Sequence, residues 1–179
     1  VELSVAIQLI KKGIPVSSAG QVWMDLGAGK GLFSHALATL LPEGSTVHAI
    51  DKDGAALRSI TFSVPGVTVS TTQKDFVQYD HGSASAHGIL MANSIHFVSN
   101  KIAFLRQLKK QFLPGGRLII VEYDTDAANA WVPYPIRYAS LQKLLGELGF
   151  ADISKLDETP SRFSRIQIYS AAATWDGAA

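Results

Sequence analysis

The chain has 179 residues, 47% of them hydrophobic and 17% charged, which fits one globular domain with a sizeable core and not a disordered chain. The net charge is +1 and there is no cysteine, so disulfides, cysteine–zinc sites and thiolate nucleophiles are excluded. The only adjacent basic pairs are Lys11-Lys12 and Lys109-Lys110, which disfavours a nucleic-acid partner.

No apolar run reaches the ~18 residues of a membrane-spanning helix, and the N-terminus lacks the basic-then-apolar pattern of a signal peptide. A single cytoplasmic domain over residues 1–179 is expected. Residues 2 to 12 place Leu3, Ala6, Ile7 and Ile10 on one helical face, and Gly13 and Pro15 stop the helix. "QVWMDL" (21–26) is a short apolar strand. Helical spacing returns with Leu32, Ala36, Leu37, Leu40 and Leu41, ending at Pro42 and Gly44. "STVHAI" (45–50) is the next strand. Asp53 is placed to cap a helix over 54–62, and Pro65-Gly66 turns the chain into "VTVS" (67–70).

"HGILMAN" (87–93) is a strand with almost no polar interruption. Ser99 or Asn100 caps a helix carrying Ile102, Leu105, Leu108 and Phe112. Pro114-Gly115-Gly116 is a turn before the strand "RLIIVEY" (117–123). A loop rich in Trp, Pro and Tyr (126–135) leads to a helix with Leu141, Leu144, Leu145 and Leu148, stopped by Gly149. "ADISKL" (151–156) and "SRIQIYSAAA" (164–173) close the chain as two strands. Alternating strands and helices, with strands apolar on both faces, predict an α/β fold with a mainly parallel sheet covered on both sides. The last two strands lack a helix between them, so one of them is expected to run antiparallel.

The stretch "MDLGAGKGLF" (24–33) sets Gly27, Gly29 and Gly31 directly after a strand that ends in an acid. In open α/β sheets ligands bind beyond the carboxyl ends of the strands, and glycines there let a ligand approach bare backbone and the free N–H groups of the next helix. The nucleoside-triphosphate loop G-x-x-x-x-G-K-[ST] fails, because Gly31 follows Lys30 and Met24 stands where the first glycine belongs. The dinucleotide pattern G-x-G-x-x-G also fails, because its third glycine would fall at Leu32.

"MDLGAGKG" resembles motif I of the class I S-adenosylmethionine-dependent methyltransferases, an acid followed by x-G-x-G-x-G. The resemblance continues through Asp51 in "HAIDKD", "QKDF" (73–76), "ILMANSIHFV" (89–98), "LPGGRLIIVEYD" (113–124) and "ELGF" (147–150). It implies a Rossmann-like, doubly wound seven-stranded sheet in the order 3-2-1-4-5-7-6, with strand 7 antiparallel and helices on both faces. It also implies S-adenosylmethionine as cofactor and S-adenosylhomocysteine as product. By the same resemblance Asp25, Gly27, Ala28, Gly29 and Gly31 form the cofactor loop, and Asp51, followed by Lys52, holds the ribose hydroxyls. Asp75 meets the adenine amino group, Phe76 lies beside the ring, and Asn93 follows the fourth strand. Asp51 and Asp53 share one loop, where one acid is only a helix cap, and Lys30 reads as a solvated lysine.

Methyl transfer from a sulfonium is an in-line displacement, so the protein's main task is orientation, and a base is needed only when the acceptor must lose a proton. Acceptor-side residues are expected after the fourth and fifth strands. His96, Asn93 and Tyr123 are the catalytic candidates, with Ser94 and Asp124 beside them and the Trp131–Pro135 loop as a cover. His96 alone among the five histidines is nominated as a base. The motif [DN]-P-P-[YF] for amino methylation of nucleic-acid adenine is replaced here by Asn93-Ser94-Ile95-His96. Methylation of carbon 5 of cytosine, and of arsenic in the known families, relies on cysteine, which is absent. A small-molecule methyl acceptor is therefore expected, with no metal. The rival readings are a non-catalytic module that keeps the fold and a NAD(P)-dependent oxidoreductase, the latter disfavoured by the glycine spacing.

Overall fold

Alternation of side chains across a pleated sheet explains why the apolar runs of this sequence carry almost no polar interruption. In the computed structural model, which describes residues 1–78, 85–161 and 166–177, strands β1 (Val22–Leu26), β4 (Ala86–Ala92) and β5 (Phe112–Tyr123) lie at the centre of the sheet. Ile89, Met91, Leu118 and Ile120 face helices α4 (Lys101–Leu108) and α5 (Tyr138–Glu147), packing on Leu105, Leu108, Leu141 and Leu145. The alternate residues Leu90, Ile119 and Val121 face α1 (Leu3–Ile10) and α2 (Leu32–Leu40), against Ala6, Leu9, Ile10 and Leu37. Each fully buried aliphatic side chain contributes roughly 1.5–3 kcal/mol.

The remaining strands are β2 (Thr46–Asp51), β3 (Thr68–Gln73), β6 (Ala151–Pro160) and β7 (Gln167–Trp175), and the short helix α3 (Gly54–Arg58) follows β2. The seven strands form one sheet in the order β3-β2-β1-β4-β5-β7-β6. The first five are mutually parallel and β7 runs antiparallel to both β5 and β6. That is the expected topology. The chain reverses its direction of winding between β1 and β4, so a crevice opens at their carboxyl ends.

Several elements differ from the sequence reading. Leu9 joins Ala6 and Ile10 in the core of α1, while Ile7 is only half-buried. Helix α3 ends at Arg58 and does not reach residue 62: the Ser59 and Ile60 amides turn to the carbonyls three residues back, Ala56 and Leu57, at 3.0 and 3.1 Å. The chain beyond it then covers α2, where Phe62 stacks on His35 at 4.2 Å. In α4 the buried side chains are Leu105 and Leu108; Ile102 faces solvent, and Phe112 already belongs to β5. Pro114-Gly115-Gly116 does not precede β5 but bulges from within it, where the pairing with β4 jumps from Ala86–Phe112 to Gly88–Arg117. Strands β6 and β7 run further than residues 156 and 173, because they pair with each other from Ala151–Thr174 to Pro160–Gln167. Residues 164 and 165 of the expected last strand, and His81, lie outside the described residues.

Candidate active site

Three carboxyl-terminal strand ends are tied together at the crevice. The Gly27 and Ala28 amides both donate to the Ile50 carbonyl, at 2.8 and 3.1 Å, which folds the loop after β1 over the end of β2. The Ser94 hydroxyl donates to the Leu26 carbonyl at 2.6 Å and joins the ends of β1 and β4. Asp51 closes the loop from the other side. Its Oδ2 accepts the Gly29 amide at 2.7 Å and its Oδ1 the Asp53 amide at 2.8 Å. Asp53 is the helix cap of the pair, accepting from the Ala55 and Ala56 amides.

The glycines of this loop have separate reasons to be glycine. All three have positive φ, 84° at Gly27, 53° at Gly29 and 80° at Gly31, a region that side chains disfavour. A Cβ on Gly27 would lie 2.5 Å from the Ser94 Cβ, and one on Gly31 would lie 2.8 Å from the Ile60 side chain. Only at Gly29 is there nothing within 4 Å. Gly27 and Gly31 are thus accounted for by packing, and Gly29 is the position that opens outward.

The crevice is a cleft of about 310 Å³ whose walls include Gly27, Asp51, Lys52, Asp75, Phe76 and Asn93, together with Ser94 and Phe97. It gathers six of the residues nominated from the sequence. Asp25, Ala28, Gly29 and Gly31 stand beside the cleft and not in its walls. Asp75 is exposed, with its carboxylate accepting the Val77 amide at 3.0 Å. Phe76 is at once a core residue, edge-on to Phe104 at 6.0 Å, and part of the cleft wall. Lys30 is exposed.

Among the described residues, two polar oxygens at this end of the sheet are buried without a partner, Asp25 Oδ1 and Asn93 Oδ1. Asp25 points between β1 and α2, where its Oδ2 accepts the Ser34 hydroxyl at 2.6 Å. Burial pushes its carboxyl up to about 7, the Ser34 bond opposes the rise, and the nearby Asp51 adds to it. Asn93 has φ of 51°, a conformation that asparagine tolerates better than most residues, and its amide donates to the Val121 carbonyl at 2.7 Å. An unpartnered buried oxygen costs roughly 1–3 kcal/mol, and Asn93 carries one in the cleft wall.

On the acceptor side the structure adds a residue that the sequence reading missed. Glu122, at 0% exposure, places both carboxylate oxygens within reach of His96 Nδ1, at 2.8 and 3.0 Å, and His96 is itself buried. Glu122 Oε1 also accepts the Tyr123 amide at 2.8 Å. Burial pushes the Tyr123 phenol above its ordinary value and the charge of Glu122 adds to this, so Tyr123 stays neutral. The segment that carries Tyr134 is bound to the same place: its amide donates to the His96 carbonyl at 3.0 Å, and Lys101 Nζ donates to its carbonyl at 2.6 Å. Asp124 does not face the dyad; it accepts the Tyr138 amide at the start of α5 at 2.9 Å. The signal for Glu122 in the sequence was a lone carboxylate closing an apolar strand, which burial obliges to find a partner.

A fold with this strand order, a glycine loop after the first strand and an acid ending the second defines a methyltransferase architecture. The model of the family described as "Methyltransferase domain" matches residues 24–118, and the chain belongs to that family, as its likeness to the class I S-adenosylmethionine-dependent enzymes implied. No curated protein matches it in sequence. Among solved structures, phosphoethanolamine N-methyltransferase 2 of Haemonchus contortus, in complex with S-adenosyl-L-methionine, is 15% identical. It matches 96% of this chain and 52% of its own, with a TM-score of 0.75, so this chain spans about half the length of that enzyme. An arsenic(III) S-adenosylmethionine methyltransferase of Chlamydomonas reinhardtii is 16% identical over 97% of this chain and 72% of its own, with a TM-score of 0.72. An S-adenosylmethionine-dependent methyltransferase of Mesorhizobium loti is 14% identical over 96% and 99%, with a TM-score of 0.68. At such identities the likeness is one of fold. Among the described residues no helix is long and apolar enough to cross a membrane.

Proposed function

We propose that this methyltransferase domain binds S-adenosylmethionine in the cleft at the ends of β1, β2 and β4 and moves its methyl group to a small-molecule acceptor. The observation that carries the reading is Asn93 Oδ1, a buried acceptor in the wall of that cleft that has no partner among the described residues. A ligand bearing an ammonium group relieves it. The same cleft has a carboxylate, Asp51, whose oxygens each keep an acceptor site after binding the Gly29 and Asp53 amides, which suits two adjacent ribose hydroxyls. Phe76 offers ring surface and Asp75 an acceptor for the base. Gly29 leaves bare backbone beside them.

The bound donor supplies a methyl carbon on a positively charged sulfur that leaves as a neutral thioether. The chain's own contribution is to fix position. Ser94 and the paired amides of Gly27 and Ala28 hold the loop rigid against β2 and β4, so orientation is set before the acceptor arrives. His96 is assigned the role of base on the acceptor side, for an acceptor that must lose a proton.

Isothermal titration calorimetry with S-adenosylmethionine and S-adenosylhomocysteine, with NAD and NADPH as controls, tests the reading. Binding of the sulfur nucleosides alone is the expected result. Binding of the dinucleotides alone, or of none of the four, overturns it.

A further inference from the structure

The two edges of the sheet are built differently. Strand β6, at one edge, has register shifts between Ala151 and Ser154 and between Lys155 and Asp157, and its Asp152 has φ of 49°. It also carries Lys155, Asp157, Glu158 and Pro160. Bulges, charges and proline are the devices by which proteins keep a further strand from adding to an edge. Strand β3, at the opposite edge, has none of them. It reads "TVSTTQ" and pairs with β2 from Thr46–Thr68 to Asp51–Gln73 without a shift.

The inner bonds of β3 define its outer side. The Thr68 and Lys74 amides donate to the Ser45 and Asp51 carbonyls, both at 2.9 Å. Backbone groups alternate in direction along a strand, so Ser70 and Thr72 also face β2. The N–H and C=O groups of Val69, Thr71 and Gln73 therefore point outward. No described residue bonds to these outward groups, and the side chains of Thr71 and Gln73 are exposed. The outward row ends at Val67, whose amide turns back to the Val64 carbonyl at 3.2 Å.

We propose that β3 is a homodimer interface, pairing antiparallel with β3 of a second copy about a two-fold axis at Thr71. A two-fold axis makes one strand its own partner. In this register Thr71 faces its own counterpart and Val69 faces Gln73, so every outward residue of both copies falls at a hydrogen-bonded position. Between them Ser70 meets Thr72, a pair of small hydroxyl side chains that suits close cross-strand neighbours.

The charges at the ends of the strand fit the same occupant. Lys74 comes opposite Thr68, and Asp75 opposite Val67, so no charge on the paired segment faces its like. Glu43, whose side chain lies against Gly66, flanks the end of β3 that receives Lys74 of the second copy. The axis repeats this meeting of opposite charges on the other side. One continuous sheet then runs through both molecules, and because their strands are antiparallel the two donor clefts open in opposite directions.

Sedimentation equilibrium of the full chain tests the proposal, with a far-ultraviolet circular dichroism spectrum of each variant beside it. The parent is expected to approach twice its 19.2 kDa as concentration rises. Thr71→Pro removes an N–H that the β2 ladder does not use, a change that an edge strand tolerates. It is expected to raise the dimer dissociation constant about tenfold or more. Thr71→Lys and Thr71→Glu, at an exposed position, each set like charges against one another at the axis and give monomers. Mixing these two variants in equal amounts restores the dimer, which reads the register without relying on the proline variant to fold. A parent that stays monomeric at about 100 µM, a dimer indifferent to Thr71→Lys, or a mixture that remains monomeric overturns the proposal.

Discussion

Asp51 accepts the Gly29 amide at 2.7 Å, so the acid that ends β2 shapes the one position of the glycine loop with open space above it. The same carboxylate faces the cleft. Asp51→Ala removes both functions and is expected to weaken S-adenosylhomocysteine binding by about 1–3 kcal/mol, the scale of hydrogen bonds to a charged group. The fold stays intact, because Asp51 is only half-buried and lies at a strand end. Calorimetry beside a far-ultraviolet circular dichroism spectrum checks both parts. Unchanged affinity in the folded variant removes Asp51 from the donor site.

Asp53, two residues on, separates capping from binding. Its carboxylate holds the first amides of α3 and does not line the cleft. Asp53→Ala is expected to lower stability by about 1 kcal/mol, the typical value of an N-cap, and to leave S-adenosylhomocysteine affinity unchanged. Urea unfolding and calorimetry on the same preparation decide it.

Much of this architecture is legible in the sequence because the two faces of the sheet are both buried. Runs such as Ile89–Ala92 and Leu118–Val121 have no polar side to show, and Gly or Pro stands at most of the ends. The cap at Asp53 is legible for the same local reason. What is not local is not legible. Glu122 near the end of β5 meets His96 in the turn that follows β4, and neither residue announces the other along the chain. The left-handed backbone of Asn93 depends on its amide reaching the Val121 carbonyl of β5, and Gly31 owes its place to Ile60 folding back over α2. The sequence motif thus assigns all three glycines to a ligand, while packing accounts for two of them.

Asp25 makes stability depend on pH in a direction opposite to that of an ion-paired carboxylate. Its carboxyl is raised from 3.8 to about 7, mainly by burial, so the folded chain holds the proton more tightly than the unfolded chain does. The stabilisation tied to this group is fully present below about pH 4 and is lost as the pH rises through about 7. Asp25→Asn keeps an acceptor for the Ser34 hydroxyl and removes the ionisation. Comparison of urea midpoints at about pH 5 and about pH 8 is expected to show a drop in the parent protein that is smaller in the variant. An equal drop in both clears Asp25 as its source.

The differing roles of the loop glycines predict a division between Gly29 and Gly31. An alanine at Gly29 meets nothing within 4 Å, so its stability cost is that of a left-handed backbone alone, roughly 1–2 kcal/mol. Its methyl group then occupies the space through which a ligand approaches the main chain, and affinity for S-adenosylhomocysteine falls in a well-folded protein. An alanine at Gly31 has the same backbone penalty and must also displace Ile60, 2.8 Å away, adding an overpacking cost of about 1–3 kcal/mol. Gly31→Ala is therefore the more destabilised variant in urea, and Gly29→Ala the one that loses affinity out of proportion to its stability. The reverse order would place the ligand's approach at Gly31 and make Gly29 an ordinary turn residue.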